Sequence, residues 1–132
     1  MPKDSTIKTK DVGAIGESVA AEFLRRKGYR VIERNYRKPW GEIDIIADKG
    51  NIVRFIEVKA VSRESIGDIA REANGHRPEE MVHQHKLQKI ARTAEMYMNE
   101  KKDARDFQID VVGVFLHMGS RTAKCRLFEQ VL

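Results

Sequence analysis

Apolar residues recur at helical spacing at Val12, Ile15, Val19, Phe23 and Leu24, and the basic run Arg25-Arg26-Lys27 leads into Gly28. The pattern predicts an amphipathic helix over 12–27, closed by glycine, with its cations at the negative end of the helix dipole. Segment 29–35 follows as a strand. Residues 41–48 and 52–61 are rich in Ile and Val and flank Asp48-Lys49-Gly50-Asn51, which is turn chemistry, so they read as a β-hairpin. The polar stretch 62–77, with Gly67 and Gly75, reads as a long loop. Pro78 suits a first helical position, and Leu87, Ile90, Ala91, Ala94, Tyr97 and Met98 form the apolar stripe of a second helix ending near Glu100. Two more strands are expected, at 107–116 and 124–131. The order α-β-β-β-α-β-β predicts an α/β fold, a mixed sheet flanked by helices.

The hairpin divides chemistry from packing. A two-residue turn at Lys49-Gly50 pairs Glu57 with Glu42 and Phe55 with Asp44. Alternation then puts Glu42, Asp44, Glu57 and Lys59 on one face and Ile43, Ile45, Ile56 and Val58 on the other. Asp44 and Glu57 become diagonal neighbours, roughly 7–8 Å apart at the backbone, near enough for both carboxylates to converge on one cation. Ile46, Val53 and Phe55 continue the acidic face as apolar packing. Carboxylates so placed repel one another and call for a counter-charge, from Lys59 or from a divalent metal. Oxygen ligands favour Mg²⁺ or Mn²⁺ over zinc or copper. Such an ion neutralises a phosphate and acidifies a bound water, while Lys59 orients that water and stabilises charge developing on the phosphorane. The plainer alternative is a surface salt-bridge ladder, Glu57 with Lys59 and a solvated Asp44.

Composition narrows the setting. At 132 residues the chain suits one domain, and 34% charged with 41% hydrophobic residues excludes collagen-like and strongly disordered classes. The longest apolar run, Val111 to Leu116, is far short of the roughly 20 residues of a membrane helix. Residues Met1 to Asp11 are polar with no apolar core, so they do not read as a secretory signal, and the expected compartment is the cytoplasm. The net charge of +5 is suggestive of a polyanionic partner only if it is concentrated. Residues 25–38 concentrate it: Arg25, Arg26, Lys27, Arg30, Arg34, Arg37 and Lys38 stand against Glu33 alone, with Tyr29, Tyr36 and Trp40 nearby. Such a segment neutralises several phosphates and offers rings to unpaired bases. The alternative is that its cations keep a helix end soluble and its tyrosines belong to the core. Because the segment leads directly into Gly41-Glu42-Ile43-Asp44, the binding reading is preferred. His76, His83 and His85 with Cys125 offer a rival zinc reading, but His83 and His85 are two apart on a helix and face different sides. Solvated or capping histidines are the simpler account.

Taken in order, Gly13-x-x-Gly16-Glu17, Gly28-Tyr29, Asn35-Tyr36-Arg37, Gly41-Glu42-Ile43-Asp44 and Phe55-Ile56-Glu57-Val58-Lys59 resemble the YraN family of predicted endonucleases. That family is distantly related to archaeal Holliday-junction resolvases and has the restriction-endonuclease-like PD-(D/E)xK fold. The likeness runs from Gly13 to Val114. It implies a flexible tail over 1–11 and a single nuclease domain over 12–132. Asp44 and Glu57 are implied as metal ligands, Lys59 as the catalytic lysine, and Glu17 as a further acid reaching the metal from the first helix. Lys86 matches a basic position that recurs in the family and joins residues 25–38 as a nucleic-acid contact. Mg²⁺ or Mn²⁺ is the implied cofactor, DNA the implied partner, and a homodimer the state that the resolvase relatives imply. Two departures touch substrate contacts: Val61 stands where members often carry arginine, Arg63 being the nearest, and the loop Ser62 to Arg77 is long. Glu17 borders the apolar stripe beside Leu24, and Gly13, Ala20 and Ala21 would let the helix approach the sheet. As a first-turn acid it also suits the helix dipole with no catalytic role.

The expected function is metal-dependent hydrolysis of phosphodiester bonds in branched or single-strand-containing DNA. A non-catalytic nucleic-acid-binding module of the same fold is the alternative, and an interaction protein with a structural acidic cluster is a third. Metal dependence separates the first two. Salt-dependent DNA affinity separates both from the third.

Overall fold

The computed structural model describes residues 9–63, 82–117 and 119–132, leaving aside the side chains of 9, 10 and 63. Within them lie helix α1 (Thr9–Arg26), strands β1 (Arg30–Lys38), β2 (Gly41–Lys49) and β3 (Ile52–Arg63), helix α2 (Gln84–Lys101), and strands β4 (Phe107–His117) and β5 (Thr122–Phe128). The strands form one sheet in the order β1-β2-β3-β4-β5. β3 and β4 pair in parallel and the other neighbours antiparallel. A parallel pair requires a crossover, and α2 lies within it. The expected α/β class and element order hold, and the arrangement is consistent with a restriction-endonuclease-like fold. No helix among the described residues is long and apolar enough to cross a membrane.

Each face of the sheet has its own core. Ala20, Ala21 and Leu24 of α1 pack on Ile45, Ile56, Val112 and Val114. Leu87, Ile90, Ala94, Tyr97 and Met98 of α2 pack on Ile46, Val53, Phe55, Val111 and Phe115. β4 is thus covered on both sides, so it is buried along nearly its whole length with no alternation of exposure, and its apolar run extends from Val111 to Leu116. Gly16, and not Gly13, lets α1 approach the sheet: a Cβ there would collide with the Ala60 side chain, whereas one on Gly13 would meet nothing.

The hairpin turn is Gly50-Asn51, one residue later than Lys49-Gly50. Both residues have φ of 62°, a left-handed conformation that glycine and asparagine tolerate and lysine disfavours. Lys49 therefore pairs with Ile52 and Ile45 with Ile56. The turn keeps its even length, so the faces of Asp44 and Glu57 survive the correction. Asp44 and Glu57 are the next residues along this register, just past its last pair.

Other boundaries moved for local reasons. α1 begins at Thr9, before the first apolar residue of its stripe. β1 runs to Lys38, past 35, because a bulge between Val31 and Glu33 and a left-handed Asn35 (φ 54°) bend the strand without ending its pairing. His83, the residue before α2, is extended, so Pro78 is not the first residue of that helix. Pro78 itself lies outside the described residues, as do residues 1–8 of the expected tail and most of the expected loop, including Gly67, Gly75 and His76. β5 stops at Phe128, and beyond it the Val131 amide donates to the Ile109 carbonyl at 2.9 Å.

Candidate active site

β2 and β3 part at Asp44 and Glu57. Their pairing ends at Ile45 with Ile56, while β2 stays paired with β1 as far as Gly41. Ile45 packs on the α1 side, but Ile43 joins the α2 core beside Tyr36, contrary to the expected shared face. The alternation of β2 breaks between these two isoleucines, at Asp44. The carboxylate substitutes for the departing strand, since Asp44 Oδ2 accepts the Val58 amide at 2.8 Å. A side chain at such a split borders both sides of it.

Two cavities meet there. One, of about 390 Å³, lies between the N-terminal parts of the helices, with Gly13 and Glu17 of α1, Lys59 of β3, and His83 and Lys86 of α2 on its walls. The other, of about 290 Å³, lies between the β1–β2 turn and α2 and includes Lys38, Glu42 and Lys89. Asp44, Glu57 and Lys86 line both. Glu42 and Lys59, expected side by side, are therefore divided between the two, because β2 turns toward α2 after the break.

Glu57 is only 7% exposed. Burial first, and the Asp44 charge next, push its carboxyl up to about 7, while Lys86 Nζ, 2.7 Å from Oε2, pulls the other way. Lys86, expected as a nucleic-acid contact, is an ion-pair partner of the acidic pair, and Glu57 raises its pKa in turn. Glu17 is half-buried, with its pKa raised by burial and by Asp44 and lowered by Arg34, an Asn35 hydrogen bond and Arg37. Lys59 is exposed at the wall of the first cavity. Among the described residues no three of His, Cys, Asp and Glu are gathered into a ready-made metal cage. Asp44 and Glu57 are adjacent, and Glu17 stands off.

The basic segment does not form one surface. Arg34 and Arg37 act on Glu17, and Lys38 lines the second cavity, so these three lie at the site. Arg25 and Arg26 pair with Glu22, and Lys27 sits 5.1 Å over the Phe23 ring, at the far end of α1. That end is about 13 Å from Glu17 at 1.5 Å per residue. Arg30 pairs with Asp48 at 2.6 Å, by the hairpin turn at the other end of the sheet. Tyr29 and Tyr36 are core residues, 5% and 4% exposed, leaving Trp40 at 38% as the accessible ring. Cys125 packs against the α1 core, and burial pushes its thiol up to about 11. Sequence reasoning missed Asn35, which steadies Glu17, and Lys89. The sequence signals for Asn35 were its place in the Asn35-Tyr36-Arg37 motif and an asparagine at the end of a strand, a residue that tolerates left-handed backbone.

Comparison with known proteins follows the same stretch of chain. A family profile described as Uncharacterised protein family UPF0102 matches residues 16–114. A UPF0102 protein of Alkaliphilus metalliredigens is 40% identical over 109 residues, covering 82% of this chain and 88% of its own. One from Moorella thermoacetica is 39% identical over 119 residues, 89% of this chain and 92% of its own. One from Campylobacter hominis is 35% identical over 108 residues, 82% and 87%. A solved structure of Pyrococcus furiosus SfsA in complex with Ca²⁺ aligns at a TM-score of 0.37 and 15% identity, over 95% of this chain and 65% of that one, too distant to argue from.

Proposed function

The chain belongs to the uncharacterised protein family UPF0102, the YraN family that its motifs resemble, and we propose that it is a metal-dependent endonuclease cleaving phosphodiester bonds of DNA in the cytoplasm. The observation that carries this reading is Glu57, a buried carboxyl held against Asp44 and pushed up to about 7, with Lys59 on the same cavity. Catalytic sites are where burial and like charges displace pKa values in this way.

The donor set fits Mg²⁺ or Mn²⁺. Both are hard ions that take carboxylate oxygens, and Mg²⁺ is commonly held by one or two carboxylates, with water and substrate phosphate completing its sphere. Asp44 and Glu57 would hold the ion, and Glu17 of α1, on the wall of the same cavity, would be the further acid available to it. When bound, the ion supplies charge neutralisation at the phosphate and acidifies a water.

The remaining chemistry belongs to the chain. Lys86 compensates Glu57 while no cation is present. Lys59 is a point donor for a phosphate oxygen, favouring the transition state in which negative charge builds up there. The first turn of α2 carries no acid, so its amides and dipole add positive potential where a phosphate would enter. Arg34, Arg37 and Lys38 extend that potential along β1.

Branched, flapped, single-stranded and duplex DNAs incubated with the protein test the reading, in Mn²⁺ and in EDTA. Cleavage of at least one substrate in Mn²⁺, abolished by EDTA and by Asp44→Asn, is expected. Salt-sensitive binding with no cleavage under any metal would establish the non-catalytic module in its place.

A further inference from the structure

The proposed chemistry centres on the cavity lined by Glu17 and Lys59, and it leaves Lys89 and the β1–β2 turn at the second cavity, on the other side of the carboxylate pair, without a role. One wall is the β1–β2 turn and the other is α2. The turn consists of Pro39 and Trp40 between the paired residues Lys38 and Gly41. It is clamped on α2, because a Cβ on Gly41 would collide with Thr93 Oγ1 and lie 3.2 Å from the Thr93 Cβ. Thr93 is itself buried, and its hydroxyl donates to the Lys89 carbonyl at 3.0 Å. The turn thus lies in direct contact with the helix segment bearing Lys89.

Neither turn formation nor packing accounts for Trp40. Two-residue hairpin turns favour Asn-Gly, Asp-Gly or Gly-led pairs, and Pro-Trp is none of these. Trp40 is 38% exposed and lies outside both cores, although its neighbours Pro39 and Gly41 line the cavity. Of the three lysines on the cavity walls, Lys86 is taken by Glu57. Neither Lys38 nor Lys89 is ion-paired with another described residue, and Lys38 sits 5.5 Å over the face of buried Tyr36. An exposed indole on a turn whose neighbouring residues line the cavity, with Lys38 and Lys89 on the cavity walls beside a carboxylate pair, matches one chemical unit, an aromatic base joined to a phosphate.

We propose that the β1–β2 turn and α2 bind one unpaired nucleotide beside the scissile phosphate, its base stacked on Trp40 and its phosphate against Lys38 and Lys89. This rests on the endonuclease reading only in placing the scissile bond at Asp44 and Glu57. Interior bases of a duplex are stacked on each other on both faces and do not offer one to an indole. The site therefore selects strands carrying an unpaired nucleotide, single-stranded or flapped.

Trp40 is the one tryptophan of the chain, so its emission reports the site directly. The full-length protein is titrated with short oligo(dT), oligo(U) and a blunt duplex, in EDTA and again in Ca²⁺, with binding followed independently by anisotropy of a labelled strand. Trp40 emission is expected to be quenched by an unpaired strand and not by the duplex, and the two oligonucleotides distinguish DNA from RNA as its source. Trp40→Ala should weaken single-strand binding about tenfold, in line with the loss of one stacked base, while Trp40→Phe retains most of it. Lys38→Gln and Lys89→Gln should each lower the salt slope by about 0.7, the value of one single-strand phosphate contact. Anisotropy that reports binding while Trp40 emission stays constant, or no binding by either probe, overturns the site. Quenching by a protein that cleaves nothing in any metal overturns the endonuclease reading and leaves the nucleotide site standing. Metal-dependent cleavage with unmoved emission does the reverse.

Discussion

Asp44 and Asp48 stand four residues apart on one strand, and the two ends of β2 treat acids in opposite ways. At the hairpin end Asp48 is 9% exposed and saturated with cations. It accepts Arg30 at 2.6 and 3.1 Å and Arg105 at 3.0 Å, and these bonds hold its carboxyl down at about 2. At the other end Glu57 is as deeply buried but has a single lysine and a second carboxylate beside it, and its carboxyl rises to about 7. Both carboxyls are covered, but desolvation leads at Glu57 and arginine hydrogen bonds lead at Asp48, and the leading influence sets the direction at each end. A matched end contributes to stability. An end with acid in excess gives up stability and keeps an affinity for positive charge in reserve, a pattern expected where function and folding compete.

The largest expected effect concerns cleavage, and it tests whether only one end is chemical. Lys59→Ala should lower single-turnover rates about 100-fold or more, the usual loss for one transition-state donor, with DNA and Mn²⁺ affinity retained. Lys59→Arg should fail as well, because a planar fork does not replace a compact ammonium. Parental rates in both variants would remove Lys59 from the mechanism.

Next is the stability that the site end gives up. The folded Glu57 carboxyl lies at about 7 against an ordinary 4.5, so between those values the native state holds more protons than the unfolded state. Its contribution is therefore fully present below pH 4.5 and is lost as pH rises to about 7. In EDTA above that pH, Glu57→Gln should be more stable than the parent by on the order of 2 kcal/mol, with the gain fading toward pH 4.5 in urea melts. A variant less stable than the parent across this range would contradict the assignment of strain to this end.

The smallest effect sharpens the other side of the comparison. Asp48→Asn should cost about 1 kcal/mol at neutral pH, since much of its arginine partnership is solvent-exposed, and should leave cleavage unchanged. Here the folded value lies below the ordinary 3.8, so the parent's advantage is present above that pH and is lost as pH falls toward 2. Loss of cleavage in Asp48→Asn would erase the division between the ends.

The parts of this architecture that depend on periodicity were legible in the sequence. The apolar stripes of both helices and the element order follow from spacing alone, and an even-length turn sufficed to put Asp44 and Glu57 together even with the turn misplaced by one residue. What escaped prediction depends on contacts across the fold. Gly16 differs from Gly13 only in meeting Ala60. Ile43 left its expected face because Tyr36, its partner across β1, is drawn into an edge-to-face contact with Tyr97 at 5.3 Å. Residues 25–38 look like one basic patch in sequence, yet α1 and β1 carry its first half away from the site and bring its second half back. Lys89 drew no attention on a helix surface until the Gly41–Thr93 contact set a turn against it.

The bond from the Val58 amide to Asp44 has a bearing on how the site meets a cation. With Oδ2 occupied by the backbone, the side chain has already surrendered its rotational freedom during folding. Freezing a side chain typically costs up to about 1.5 kcal/mol, and a ligand fixed in advance spares the incoming ion that entropy. The direction of the carboxylate is then set by the strand and not by a flexible search. The same bond ties the ligand to the architecture: asparagine can still accept the Val58 amide, but alanine would leave that amide without its partner, and so Asp44→Asn separates loss of charge from loss of shape.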